Sequence, residues 1–328
     1  PYSEAELLDD EATMIAVGET LDVWDLVDRT LLRSIPIPTP TVLPVLDVTS
    51  DGRTAAIIIG PTEVAVVDLA TGDLSGTFST PAKAHDVSLS RDGESVAVAQ
   101  ADGVVTLWGA AQLDLWATLN SGEPSLRFAR WNPTDDSLTV VTSISTVQVW
   151  EPASLEQRWS STPAGGFSNT LGATPTGVVH TSDGALVTVD SGQLSPVLRT
   201  YRTSDGTQPY APTGRTDGAN GTDALVWIDE ERLHLGAASA KGIATYDLTT
   251  GDVVAGFVGE LNLQDAVYSP LRHEIVAVGS DRLQFRSTIG AGPLEQVVLF
   301  SEQQRDVVTV EGGTVHTSIT PDGSRLIV

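Results

Sequence analysis

Leu89-Ser-Arg-Asp-Gly-Glu-Ser-Val-Ala-Val-Ala99, followed at once by Val104-Val-Thr-Leu-Trp-Gly109, decides the fold. The first stretch places Asp-Gly between two apolar runs. That dipeptide supplies the positive φ a tight hairpin needs, so the segment reads as strand, turn, strand. The second stretch alternates apolar and polar residues as a half-buried strand does. A fourth strand follows at Leu113–Leu119.

The same unit recurs outward in both directions. Asp10, Asp51 and Asp92 occupy equivalent turns at intervals of 41 residues, and somewhat longer intervals follow. Eight copies of the first hairpin are present, the last at Ile319-Thr-Pro-Asp-Gly-Ser-Arg-Leu-Ile-Val328. Seven are followed by the second element, as in Leu21-Asp-Val-Trp-Asp-Leu26, Val64-Ala-Val-Val-Asp-Leu69 and Ile243-Ala-Thr-Tyr-Asp-Leu248. Four strands every 40 or so residues is the period of a propeller blade, which buries its faces only by packing on its neighbours. The expected fold is therefore all-β: a seven-bladed β-propeller of four-stranded antiparallel blades over residues 4–300. Residues 305–328 are expected to start a further, severed blade or to supply a ring-closing strand. An eight-bladed ring is the alternative.

The repeat resembles the WD40 family across nearly the whole chain. The resemblance rests on the apolar-Ser-x-Asp-Gly hairpin, on Trp24-Asp25, and on Asp102 standing six residues before Trp108. It implies a structural role for Asp102, Trp108, Trp24 and Asp25. The copies are degenerate. No Gly-His dipeptide occurs, and His85 lies only seven residues before Asp92, so the family's His–Ser–Asp–Trp network is not expected. Other propeller families stay open. Propellers of this composition resemble those of multidomain actinobacterial transcriptional regulators and NTPase-type signalling proteins, in which DNA binding or nucleotide hydrolysis lies in other domains.

Composition narrows the chemistry. The 328 residues carry 43 acids against 18 bases, a net charge of −25, with 41% hydrophobic residues. That is ample apolar material for a core, while the charge disfavours direct contact with a phosphate backbone or an anionic membrane. With no cysteine, disulfides and thiolate chemistry are excluded. The longest aliphatic run, Ala55–Ile59, is far too short to cross a bilayer. Sixteen Arg against two Lys, with abundant Ala, Val, Gly and Asp, suggest a high-GC bacterial source. The chain opens at Pro1 and is read as a piece of something longer. Cytoplasmic location is the expectation.

No catalytic, cofactor-binding or metal-ligating residue is assigned, and no enzyme activity or cofactor is expected. The histidines, His85, His180, His234, His273 and His316, are scattered without metal-ligand spacing, and Gly-x-Ser-x-Gly is absent. Acidic clusters such as Asp135-Asp136 sit in equivalent turns of different blades rather than in a calcium loop. In a propeller the first-to-second and third-to-fourth strand turns share one face, and 22 of the 43 acids fall on these turns. That face is expected to be strongly negative and to favour basic protein partners. The equal alternative is that Asp-Gly is simply good turn chemistry. The expected function is a non-enzymatic platform for protein partners, belonging to a larger bacterial signalling or regulatory protein. The rival is a propeller enzyme or small-ligand binder with a loop-built site at the central channel. Carboxylates or histidines converging at metal-ligand distance at the channel mouth would favour the rival. A channel lined by Val, Ala, Thr and Ser would favour the platform.

Overall fold

The computed structural model describes residues 2–8, 10, 12–163, 175–191, 197–214, 225–227, 234–239, 242–258, 263–269, 274–279, 282–287, 294–299, 305–310, 318–319 and 326–327. From Glu4 to Gly214 the chain forms five consecutive blades, each a meander of four antiparallel strands paired in sequence order. Blade 1 comprises Glu4–Leu7, Thr13–Val17, Thr20–Asp25 and Thr30–Pro36. Blade 3 comprises Ala84–Leu89, Ser95–Gln100, Val104–Gly109 and Leu115–Asn120. In both, the Asp-centred hairpin and the Trp-bearing strand fall where the repeat predicts.

Beyond Gly214 the plan changes. The next sheet still pairs four strands but opens on only three residues, Leu225–Trp227. The sheet after it, from Leu263 to Val310, holds five strands, because Arg305–Val310 pairs antiparallel with Leu294–Leu299. Ser318–Ile319 and Leu326–Ile327 form a separate two-stranded pair. The expectation of a seven-bladed ring of four-stranded blades, or of an eight-bladed one, is thereby corrected. What holds is five blades of four antiparallel strands followed by sheets that depart from that plan. The reason is physical. A hairpin signature is local, whereas the number of strands in a sheet is decided by what pairs with its outer edge, and an open edge accepts any strand that reaches it.

Position within the blade explains the residue pattern. Second strands such as Thr54–Ile58 are covered on both faces by neighbouring sheets and read as unbroken apolar runs. Outer strands such as Thr30–Pro36 alternate exposed and covered residues. The core is accordingly a series of layers between blades. Ile15, Val17 and Leu21 of blade 1 pack with Ala55, Ile57 and Val67 of blade 2. Tyr2, Ala5 and Trp24 pack with Val267, Val276 and Leu283, so Glu4–Leu7 meets the strand Leu263–Ser269 and the ring closes there.

The Asp-Gly turns also carry contacts between blades. Gly184 has φ +66°, and a Cβ there would stand 2.0 Å from Asn132 Oδ1 of the preceding blade. The Asn132 amide donates to the Gly184 carbonyl at 2.9 Å. Asp183 shapes the same turn by accepting from the Thr181 hydroxyl at 2.8 Å and the Ala185 amide at 3.1 Å.

Candidate functional site: a charged cluster at the channel mouth

The first strand of each blade faces the central channel, and its alternate residues project inward. On Leu126–Trp131 of blade 4 that position holds Arg130, whose side chain is 17% exposed. The guanidinium reaches three other blades. Nη2 lies 2.8 Å from Asp86 Oδ1 and 3.5 Å from Glu4 Oε1, and Nη1 lies 3.1 Å from Asp47 Oδ1 and 4.0 Å from Glu6 Oε1. Glu4 and Glu6 belong to blade 1, Asp47 to Val45–Val48 of blade 2, and Asp86 to blade 3.

Three of these carboxylates accept backbone amides from the next blade around the ring. Glu4 accepts from Leu46, Asp47 from Leu89 at 2.5 Å, and Asp86 from Ala129 at 3.0 Å. Asp265, on the sheet that closes the ring, accepts from Ala5 at 2.7 Å. Ser88 accepts from Trp131 at 3.1 Å in the same manner. Each acid therefore stitches its own first strand to the following one, and Arg130 ties three of those stitches together.

Burial sets the electrostatics. Desolvation, followed by the neighbouring Asp47, pushes Glu6 up to about 8. Desolvation pushes Asp86 up to about 6 against the pull of Arg130, and it holds Glu4 and Asp47 above the usual carboxylate range. Burial opposes the charge on Arg130 too, but Asp86, Asp47, Glu4 and Glu6 outweigh it and hold its proton more firmly. His180, on the fifth blade, is depressed to about 4 by burial and by Arg130, so its ring is neutral at physiological pH. Its Nε2 meets the Thr139 hydroxyl at 2.9 Å.

The cluster lines a cavity of about 620 Å³ that also takes in Trp131, His180, Asp265 and Tyr268. The cavity reaches the first residues of the turns after these strands, Ser50, Arg91, Thr134 and Ser182, so it opens on the turn-bearing face. Acids cap turns on that face. Asp51 accepts from the Thr49 hydroxyl at 2.8 Å and the Arg53 amide at 3.0 Å. Hydrogen bonds from Ser90 and Glu94 hold Asp92 below its usual range, and those from Thr207 do the same for Asp205. Each carboxylate is thus a turn cap. Asp9, Glu11, Asp229, Glu230, Glu231 and Asp322, also expected on this face, lie outside the described residues.

The four residues singled out in sequence are placed apart. Asp102 is exposed in its turn and accepts the Val104 amide at 3.3 Å. Trp108 is buried, stacks on Phe78 with ring centroids 4.3 Å apart, and its indole N–H has no partner. Asp25 caps its turn, accepting from Val27 at 2.7 Å and Asp28 at 2.9 Å. Trp24 donates at 3.0 Å to the Tyr2 hydroxyl, which donates to the fully buried Asp22. Asp22 also accepts from Thr20 at 3.0 Å and Ser34 at 2.6 Å. Sequence reasoning missed Asp22, although a carboxylate between Leu21 and Val23 on an otherwise apolar strand was a signal for it. The equivalent position holds Gln148 in blade 4, where Trp150 donates directly to its Oε1 at 3.0 Å.

His85 Nδ1 meets the Leu126 carbonyl at 2.7 Å, a contact between blades 3 and 4. The side chain of His234, and all of His273 and His316, fall outside the described residues. Among the described residues no group of His, Asp or Glu side chains is arranged to hold a metal ion. Among the described residues no helix is long and apolar enough to cross a membrane.

No family model matches the chain, and neither does any curated protein sequence. Its backbone is similar to solved propellers. Hydrazine synthase of Kuenenia stuttgartiensis superposes with a TM-score of 0.70 at 14% identity, covering 85% of this chain and 92% of that one. The β-propeller domain of Cps50 (Swd1) from Myceliophteria thermophila also gives 0.70 at 14% identity, covering 85% of this chain and 94% of that one. At such identity the likeness is one of fold: the chain is a β-propeller.

Proposed function

We propose that this propeller is a non-enzymatic recognition platform whose turn-bearing face receives a basic segment of a protein partner. The observation that carries the reading is a charge imbalance in one place. Glu4, Glu6, Asp47 and Asp265 line the channel-mouth cavity against two arginines, Arg130 and the exposed Arg91, and the capping acids lie in turns on the same face. A cationic side chain entering that cavity gains carboxylate partners in a medium of reduced dielectric, and the surrounding acids raise the encounter rate. The domain then works as the partner-binding region of a larger bacterial, WD40-like signalling or transcription-regulatory protein in the cytoplasm. Nucleic acid is disfavoured as a direct ligand because the same acids repel phosphate.

The test is a titration of this chain with an unstructured Lys/Arg-rich peptide and with its Asp/Glu counterpart. The reading requires binding of the basic peptide, weakening as salt rises, and none of the acidic one. Equal binding of both, or of neither, overturns it.

A second reading, a small-ligand site at the channel, is favoured by the cavity itself, whose volume falls within the range of small-molecule pockets. Its ligand would also be cationic.

A further inference from the structure

We infer that the Arg130 cluster is a proton-operated latch on the ring: protons retained among its carboxyl groups at neutral pH keep the first strands together, and their loss loosens the inner seam. The geometry requires a shared proton. Glu4 and Asp86 both approach Nη2, and Asp47 and Glu6 both approach Nη1, so four carboxyl groups crowd one guanidinium. One guanidinium faces four carboxyl groups within 4.0 Å, of which Asp86 is 1% exposed and Glu6 36%, and like charges so close do not all ionise together. Among the described residues, the other groups lining the cavity do not make up the deficit: Arg91 is exposed in its turn, with Nη1 3.4 Å from the Thr134 carbonyl. Blade 5 offers His180, whose ring is neutral, and the closing sheet offers Asp265, a further acid.

The structural consequence follows from what these carboxyls hold. Glu4, Asp47 and Asp86 accept the amides of Leu46, Leu89 and Ala129, so each is anchored to the next blade and cannot swing out to relieve repulsion. Repulsion is therefore borne by the contacts between blades. The direction of the pH effect is fixed as well. A carboxyl whose proton is held more tightly in the folded ring than in the unfolded chain stabilises the ring at low pH. That contribution fades as pH rises from the ordinary value of 4.5 toward about 8, the range spanned by Glu6. This runs opposite to ordinary acid denaturation.

The test is the apparent thermal midpoint of this chain between pH 7 and pH 9, above the range in which His180 contributes a slope of opposite sign, for the wild type, Glu6→Gln and Glu94→Gln. Glu94 is an exposed turn residue and serves as control. The latch requires the wild-type midpoint to fall by about 3 °C or more across this range. Glu94→Gln should keep that slope, and Glu6→Gln, which makes the proton permanent, should flatten it. Amide protection at Ala5, Leu46, Leu89 and Ala129, corrected for intrinsic exchange, should fall together with the midpoint. A wild-type midpoint that is flat or rises with pH overturns the inference, and so does a Glu6→Gln slope equal to that of the wild type. If Glu6→Gln does not fold, the wild-type slope and the amide protection decide alone.

Discussion

Arg130 Nη2 lies 2.8 Å from Asp86 Oδ1 across the boundary between the third and fourth blades. Asp86 is 1% exposed and turns its other oxygen to the Ala129 amide. The pair therefore couples the charge of the channel to the spacing of two blades. Removing the cation from such a pair leaves buried carboxylates without a counter-charge, a loss that costs about 3–5 kcal/mol. Arg130→Met should lower the free energy of unfolding by about that much, read from urea denaturation. Joint replacement of Arg130 and Asp86 by apolar residues of similar size should restore part of it.

A second network ties Trp24 to blade 1 through Tyr2 and Asp22. Tyr2→Phe removes the hydroxyl and with it the hydrogen bonds to the Trp24 indole and to Asp22, at a cost of about 1–3 kcal/mol. Trp108→Phe loses no hydrogen bond, since the Trp108 indole N–H has none. Its cost should be confined to packing on Phe78. Equilibrium unfolding of the two variants beside wild type, with Trp24 fluorescence reporting its surroundings, checks the contrast.

Gly184 and Gly122 both have positive φ, +66° and +76°, but their surroundings differ. At Gly122 a Cβ would meet nothing within 4 Å, so Gly122→Ala should cost only the left-handed backbone penalty of about 1–2 kcal/mol. At Gly184 a Cβ would also displace Asn132, whose Oδ1 holds the Thr134 amide at 2.9 Å and hydroxyl at 3.1 Å. Gly184→Ala should therefore destabilise clearly more than Gly122→Ala in the same denaturation assay.

His180 supplies a pH prediction on the acid side. Burial and Arg130 depress its pKa to about 4, so the folded ring prefers the neutral imidazole. The stability this contributes is complete above the unfolded value of about 6.5 and is lost as pH falls through about 4. The His180 ring resonances should titrate near 4 by NMR, and Arg130→Met should shift that midpoint upward.

The period of the repeat was readable because hairpin chemistry is local. Asp51-Gly52 and Asp92-Gly93 announce their turns, and the alternation around Trp108 announces its strand. Strand membership of the later sheets was not readable, because the pairing of Arg305–Val310 with Leu294–Leu299 depends on which edge lies open in space. The channel cluster was hidden for a related reason. Glu4, Glu6, Asp47, Asp86 and Arg130 lie on four blades, and none forms a motif with its chain neighbours. Only alignment of the first strands by their turns shows that Glu6, Asp47, Ser88 and Arg130 occupy the same inward position. The acidic turns were legible as residues, but their junction with a carboxylate-lined cavity required the ring.

The most direct test of the account is a hydrogen-exchange footprint of this chain with the Lys/Arg-rich peptide bound. The account predicts slowed exchange at Thr49–Arg53, Ser90–Glu94 and Thr181–Ala185 and along the first strands beneath them. Slowing confined to the opposite face, at Gly18–Thr20, Gly60–Thr62 and Ser143–Ser145, with the channel mouth unchanged, would contradict it.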